Sequence, residues 1–282
     1  MPTIKLTGLT LLAMIAFAGN SLLCRVALKE TGIDAISFTT VRLVSGAIVL
    51  GLIVQLRNGR DDGDGNWLSA FALIGYAAAF SLSYRSLPAA AGALLLFGTV
   101  QATMLGYGIF TGERFSKLQT LGLCIAFAGI IGLLLPGLSA PPLWGSVLMT
   151  GAGIAWGIYS LRGKAAGDPI RITSGNFQRA ALISAGFSIC LLKNASFDWV
   201  GFCYACASGA VTSGIGYAIW YTVLPDLKAT IASIVQLSVP VIAAAGGIIF
   251  LGEHLTLRLA FAAIAILGGI GLIITDKAHH GR

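Results

Sequence analysis

Residues 87–113, LPAAAGALLLFGTVQATMLGYGIFTGE, are answered 140 positions later by residues 227–253, LKATIASIVQLSVPVIAAAGGIIFLGE. The two stretches are equal in length. Each opens on a short polar or proline-containing turn and closes on Gly-Glu (Gly112-Glu113, Gly252-Glu253) before another glycine-rich apolar run. Nearly the same offset recurs upstream: Arg42 and Arg179 are 137 apart, and Phe17 with Asn20 is matched by Trp156 with Tyr159 at 139. Self-similarity at a fixed offset is the mark of a duplicated structural unit. Each unit here is built of apolar stretches near the length a helix needs to cross a bilayer, about 20 residues.

Cutting the rest of the chain wherever charges, prolines or glycine clusters interrupt such runs gives ten expected spans: 6–24, 33–56, 66–84, 88–110, 118–135, 143–161, 170–192, 198–221, 229–251 and 255–275. Composition agrees. Of 282 residues 56% are hydrophobic and only 10% charged, whereas a soluble domain carries about a quarter charged residues and a disordered chain still more charge and less apolar surface. The connections are too short to hold a soluble domain. Five spans per half is an odd number, so the second half is expected upside down relative to the first. The expected fold is all-α and integral to the membrane, with ten transmembrane helices in two inverted five-helix repeats, residues 1–138 and 139–282. Loop Lys and Arg number eleven on the side holding the N-terminus and five on the other. By the positive-inside rule both termini are expected in the cytoplasm.

Several function classes drop out. The net charge of +7 is spread as single Lys and Arg between apolar runs, with no continuous basic face for nucleic acid. Five cysteines, an odd number lying in or beside apolar runs, do not form a secreted disulfide framework. Cys203 and Cys206 have metal-like spacing but no second pair or nearby histidine, and no metal or cofactor is expected. With one Lys ahead of the first run and no small-residue cleavage site before Arg25, that run is expected to be a retained span. Gly-x-Ser-x-Gly with a histidine, paired aspartates within spans and His-Glu-x-x-His are all missing, so no intramembrane enzyme is expected.

Ten spans in two inverted halves, a Gly-Glu motif after the fourth and ninth spans (Thr111-Gly112-Glu113 and Leu251-Gly252-Glu253) and an arginine early in the second span together resemble the drug/metabolite transporter superfamily, in its EamA-type group. The resemblance covers essentially the whole chain and departs only at Thr111, where leucine is usual. Within the group, length and mid-span aromatic residues are most similar to the exporters of aromatic amino acids. The resemblance implies a helical basket around a central cavity, alternating access, export of small metabolites and residence in a bacterial inner membrane.

A solute pathway needs polar or aromatic groups at membrane depth. Tyr76, Phe80 and Ser83 recur at helical spacing in the third span, and Ser213, Tyr217 and Trp220 in the eighth. Phe17 with Asn20 and Trp156 with Tyr159 add matching positions in the first and sixth. Gln101 and Gln236 sit near the centres of the fourth and ninth spans, each as an interhelical hydrogen bond or a solute contact. The expected substrate-binding set is Asn20, Tyr76, Phe80, Ser83, Gln101, Trp156, Tyr159, Ser213, Tyr217, Trp220 and Gln236, with aromatic core packing as the competing reading. Pro240 cannot donate to the carbonyl of residue 236, which suggests a hinge beside Gln236. Trp67, Trp144 and Trp199, at span starts, suit the interfacial belt.

Arg42 and Arg179 are expected to snorkel toward opposite faces or to bond carbonyls of a neighbouring helix, with carboxylate reading as the lesser alternative. The motif glutamates Glu113 and Glu253 are expected to tie loops or favour the next helix dipole. Gly153 and Gly157 permit close helix contact, expected within one monomeric bundle rather than at a dimer interface. None of the eleven Asp and Glu lies near a span centre, which argues against a proton relay. Aromatic walls with a few neutral polar groups suit a zwitterion bearing an apolar or aromatic side chain. The expected function is secondary export of such amino acids down their own gradient, with a broad drug/metabolite exporter as the alternative.

Overall fold

The structure is a computed structural model that describes residues 1–58, 65–112, 115–137, 140–162, 168–191, 195–227 and 229–280. Glu113 and the loop cations Arg60, Arg114, Lys164, Lys193, Lys228 and Arg282 lie outside the described residues. Among the described residues every regular element is helical. The helices are α1 (Thr3–Glu30), α2 (Ala35–Asn58), α3 (Trp67–Tyr84), α4 (Ala89–Phe110), α5 (Lys117–Leu134), α6 (Leu143–Arg162), α7 (Pro169–Cys190), α8 (Trp199–Ala207), α9 (Gly216–Val223), α10 (Ala229–Gln236), α11 (Ser238–Leu251) and α12 (Leu257–His280). A π-helical stretch, Ser208–Ile215, joins α8 to α9 without a break in the rod.

Polar residues between the apolar runs set where helices begin. Asn66 and Asp198 accept from backbone N–H groups three residues ahead, at 2.8 Å each, and start α3 and α8. Ser116 and Gln119 form a reciprocal capping box on α5. Asp168 accepts from Ile170 N–H, and Pro169 takes the first position of α7, where no donor is needed. Gly252, at φ 61°, closes α11 in the left-handed region open to glycine.

Among the described residues seven helical stretches are long and apolar enough to cross a membrane. Three expected spans fall outside that set for physical reasons. The sixth and seventh, α6 and α7, carry buried Ser, Asn and Arg-bearing faces that lower their mean hydropathy. The ninth is not one helix. It is interrupted at Leu237 into α10 and α11, because Pro240 lacks the N–H that would bond the carbonyl of residue 236; the break leaves Pro240 in the first turn of α11. The eighth is continuous but switches to π hydrogen bonding in its middle.

Packing partners occur in corresponding pairs. α2 packs on α7 and α5 on α12, while α3 lies against α6 as α1 lies against the α8–α9 rod, and α4 lies against α6 as α11 lies against α1. Glycines permit the closest of these approaches. On α5 and α12 the Cα atoms of Gly122 and Gly269 face each other, with the carbonyl oxygen of each where the other's Cβ would stand. Gly153 and Gly157 are spent inside the chain, since a Cβ there would lie 2.7 Å and 2.8 Å from the Cβ atoms of Thr99 and Thr103 on α4. Trp67, Trp144 and Trp199 stand exposed at the starts of α3, α6 and α8.

Candidate functional site

α1, α3, α4, α6, the π stretch, α9 and α10 enclose a cavity of about 370 Å³. Its wall includes Asn20 from α1, Tyr76 and Phe80 from α3, Gln101 from α4, Trp156 from α6, Ser213 from the π stretch, Tyr217 and Trp220 from α9, and Gln236 from α10. Nine of the eleven residues expected from the sequence thus share one space. Ser83 and Tyr159 do not join them. Ser83 is fully buried and donates to Gly145 O at 2.6 Å, which ties α3 to α6. Tyr159 lies behind Trp156, stacked on it at 5.1 Å, and its hydroxyl accepts from Asn176 Nδ2 at 3.4 Å.

Trp156 is the centre of the aromatic wall. Its ring lies 4.7 Å from Tyr76 and stacks at 5.4 Å on Tyr217, which in turn has Phe17 at 5.5 Å. Such pairs hold one another by edge and offset-face contacts. Polar groups are few and fixed. Asn20 Oδ1 accepts from the hydroxyls of Ser208 at 2.7 Å and Thr212 at 3.4 Å, which turns its Nδ2 toward Tyr76 Oη at 3.4 Å. Gln101 and Gln236 face the cavity with amides that bond no described side chain in the cavity. Among the described residues the lining contains no Asp, Glu, His or Cys, and no cluster of metal-ligating side chains exists.

Arg42 does not snorkel. It is 1% exposed, the largest fully buried side chain among the described residues. Nη2 donates to Tyr76 Oη at 3.1 Å and Nε to Ser213 Oγ at 3.4 Å, while the guanidinium carbon sits 5.3 Å and 5.0 Å from the ring centroids of Tyr76 and Phe80. The reason is local: two hydroxyl oxygens and two ring faces lie at its own depth and hold it there. Arg179 donates to Gly175 O of its own helix at 3.0 Å, not to a neighbouring helix, and covers the Trp67 ring at 5.7 Å.

The cavity runs toward the end of the bundle where α6 stops and α7 starts, as Ser160, Pro169 and Leu224 in its wall show. At the other end the chain is tied shut. Arg25 Nε meets Glu253 Oε1 at 3.2 Å, Arg25 Nη1 donates to Tyr84 O at 2.9 Å, and Glu253 Oε2 accepts from Ala89 N–H at 2.7 Å. Glu253 thus ties loops, as expected, but the helix start whose N–H it accepts is that of α4 and not that of α12, the next helix in the chain.

The sequence left part of the wall unmarked. Phe97, Val100 and Met104 line the cavity with Gln101, and their spacing of three and four residues places them on the face that Gln101 defines, so that face was readable. Ser21, Ser160, Thr212 and Tyr221 are also in the wall. Tyr221, four residues after Tyr217 on α9, was readable in the same way, whereas Thr212 lies inside the π stretch, which no residue pattern announced.

The family model described as the EamA-like transporter family matches this chain twice, over residues 6–135 and 143–275. The chain is 50% identical over 278 residues to an uncharacterized protein of Pseudomonas aeruginosa, covering 98% of this chain and 97% of that one. It is 28% identical over 199 residues to the threonine/homoserine exporter RhtA of Escherichia coli K12, covering 65% of this chain and 67% of that one. It is 22% identical over 256 residues to the uncharacterized transporter YoaV of Bacillus subtilis, covering 84% and 86%. A solved crystal structure is alike in fold, with a TM-score of 0.66 at 17% identity over 95% of this chain and 96% of the other. These relatives lend no specific support to the closer likeness to aromatic amino acid exporters.

Proposed function

This chain belongs to the EamA-like transporter family, and from that membership and the cavity we propose that it exports small amphipathic metabolites, above all amino acids with apolar or aromatic side chains. The observation that carries the reading is the wall itself: Trp156 flanked by Tyr76 and Tyr217, with Asn20, Gln101, Ser213 and Gln236 as neutral hydrogen-bonding groups. Such a wall buries a ring or aliphatic side chain and still satisfies a few polar atoms. The exporter RhtA, named for threonine and homoserine, supports the amino acid class.

The transport cycle is alternating access between two inverted five-helix repeats, residues 1–138 and 139–282, each contributing five spans. The double family match and the corresponding packing pairs support this division. The protein works as a monomer in a bacterial inner membrane with both termini in the cytoplasm, needs no cofactor and catalyses no reaction. On that orientation the end lined by Ser160, Pro169 and Leu224 faces the cytoplasm. Transport follows the solute's own gradient: the cavity wall holds no carboxylate or histidine to carry a proton.

The test is efflux of labelled phenylalanine, threonine and a cationic dye from proteoliposomes, with and without pH and sodium gradients. Saturable amino acid efflux indifferent to both gradients is expected. Amino acid efflux that requires a proton gradient would overturn the uncoupled mechanism, and efflux of the dye alone would favour the broad drug/metabolite exporter.

A further inference from the structure

Behind the cavity wall sits a cation with no anion beside it among the described residues. Arg42 is buried at the centre of the bundle, and the described carboxylates are engaged elsewhere: Glu253 with Arg25, Glu30 with Lys29, Asp168 with Arg57, Asp226 with the terminal amine, Asp34 and Asp198 at helix starts, and Asp276 with Ser116. Burial of a guanidinium without a counter-ion is costly, and two hydroxyls and two ring faces offset only part of it. Its Nη1 has no hydrogen-bond partner among the described residues.

The two hydroxyls are the informative part. Tyr76 Oη accepts from Arg42 Nη2 and from Asn20 Nδ2, and Ser213 Oγ accepts from Arg42 Nε. A hydroxyl that accepts still has its own proton to give. Neither Tyr76 nor Ser213 donates to any described group, and both stand on the cavity wall. A hydrogen bond from such a hydroxyl to an ionised carboxylate is about twice as strong as one between neutral groups.

Building on the transport function proposed above, we infer that Tyr76, Ser213 and Arg42 form a subsite for the carboxylate of the transported solute. The Tyr76 and Ser213 hydroxyls donate to the carboxylate oxygens. Arg42, one layer back, supplies the compensating charge and holds both hydroxyl oxygens as acceptors, which keeps their protons aimed at the cavity. A carboxamide brings an N–H₂ donor and no charge to the same place, so it leaves the arginine without a counter-ion. The subsite thereby selects acids over their amides and amines, while the aromatic wall takes the side chain.

The experiment compares efflux of labelled L-phenylalanine, L-phenylalaninamide and phenethylamine from proteoliposomes holding wild type, Tyr76→Phe, Ser213→Ala or Arg42→Gln, with thermal midpoints of each protein. Wild type is expected to favour the acid over the amide by at least about tenfold in kcat/KM, the scale of one charge-assisted hydrogen bond. In Tyr76→Phe and Ser213→Ala that ratio falls toward one. These two variants keep the bulk of the side chain, so they carry the test if Arg42→Gln does not fold. An acid-to-amide ratio near one in wild type, or unchanged in both conservative variants, overturns the subsite. Amide or amine efflux without the acid overturns it while leaving a transporter, whereas no efflux of any of the three overturns the amino acid reading together with it.

Discussion

Arg25 and Glu253 lie 228 residues apart in sequence and 3.2 Å apart in space, and the carboxylate that receives the guanidinium also receives the first N–H of α4. The pair joins α1, α4 and the end of α11 at the closed end of the cavity. Both side chains are about nine-tenths buried. Glu253→Ala leaves Arg25 buried without its anion, and a loss of about 3 kcal/mol is expected. The paired change Arg25→Met with Glu253→Leu recovers much of it. Unfolding midpoints of wild type and the two variants in detergent check this; a wild-type midpoint in Glu253→Ala would show that the pair adds nothing.

Asp34 joins the start of α2 to the segment before α8. Its carboxylate accepts from Ile36 N–H, Ser37 N–H, Ser37 Oγ and Ser196 N–H. Burial alone would raise its carboxyl, but these donors together hold it below the ordinary 3.8. A depressed value in the folded protein means stability that is present above the ordinary carboxylate range and lost as pH falls through the folded value. The difference in midpoint between wild type and Asp34→Asn is therefore expected to be flat near neutrality and to close below about pH 4. A difference that grows on acidification would contradict the sign.

Trp156 stacks on Tyr217 and Tyr159 and lies nearest Tyr76. Trp156→Ala removes the ring on which an aromatic solute would rest, at about 0.5–1.5 kcal/mol per ring contact. Phenylalanine is expected to show a KM raised by roughly tenfold, while threonine changes less. Equal effects on both solutes would mean that Trp156 supports the wall without reading the side chain.

Pro240 separates α10 from α11 next to Gln236. Pro240→Ala restores the missing donor, and up to about 3 kcal/mol of helix continuity becomes available. A higher thermal midpoint with slower efflux is expected if the break is a hinge. Unchanged efflux and unchanged balance of inward and outward states would remove that role.

Gly209 sits in the π stretch, where a Cβ would fall on Ser45 Oγ and the Arg42 carbonyl oxygen of α2. Backbone cannot move aside cheaply, and Gly209→Ala is expected to cost about 3 kcal/mol or to prevent folding. Gly151→Ala, with nothing within 4 Å, is the matched control. Expression and thermal midpoints of the two variants separate a packing requirement from general sensitivity to lost glycine.

Apolar run length carries helix positions almost without loss, because the polar residues that interrupt the runs are the same ones that cap helices, as Asn66, Asp168 and Asp198 do. Side-chain depth was legible where helical phase is regular: Tyr76 and Phe80, or Trp156, reach the cavity as their spacing requires. It failed where a partner outside the span decides the outcome. Ser83 shares the stripe of Tyr76 and Phe80, yet the carbonyl of Gly145 in the first turn of α6 claims its hydroxyl. Arg42 looked like a snorkelling cation because spacing along one helix does not reveal Tyr76 and Ser213 on two others. The break at Leu237 falls where Pro240 points, beside Gln236, because the carbonyl of residue 236 loses its donor there.

The π stretch between α8 and α9 has one further consequence. A π turn accommodates one residue more than an α turn over the same rise, so it behaves as a single-residue insertion absorbed within a helix. Converting Ser208–Ile215 to α geometry without shortening the chain would rotate everything beyond it by about 100°, carrying Tyr217 and Trp220 off the wall they now share with Phe17. Which aromatic faces meet the solute is thus set by an angular offset stored in eight residues, and a one-residue deletion there would preserve the facing of α9 where the same deletion elsewhere in the rod would spoil it.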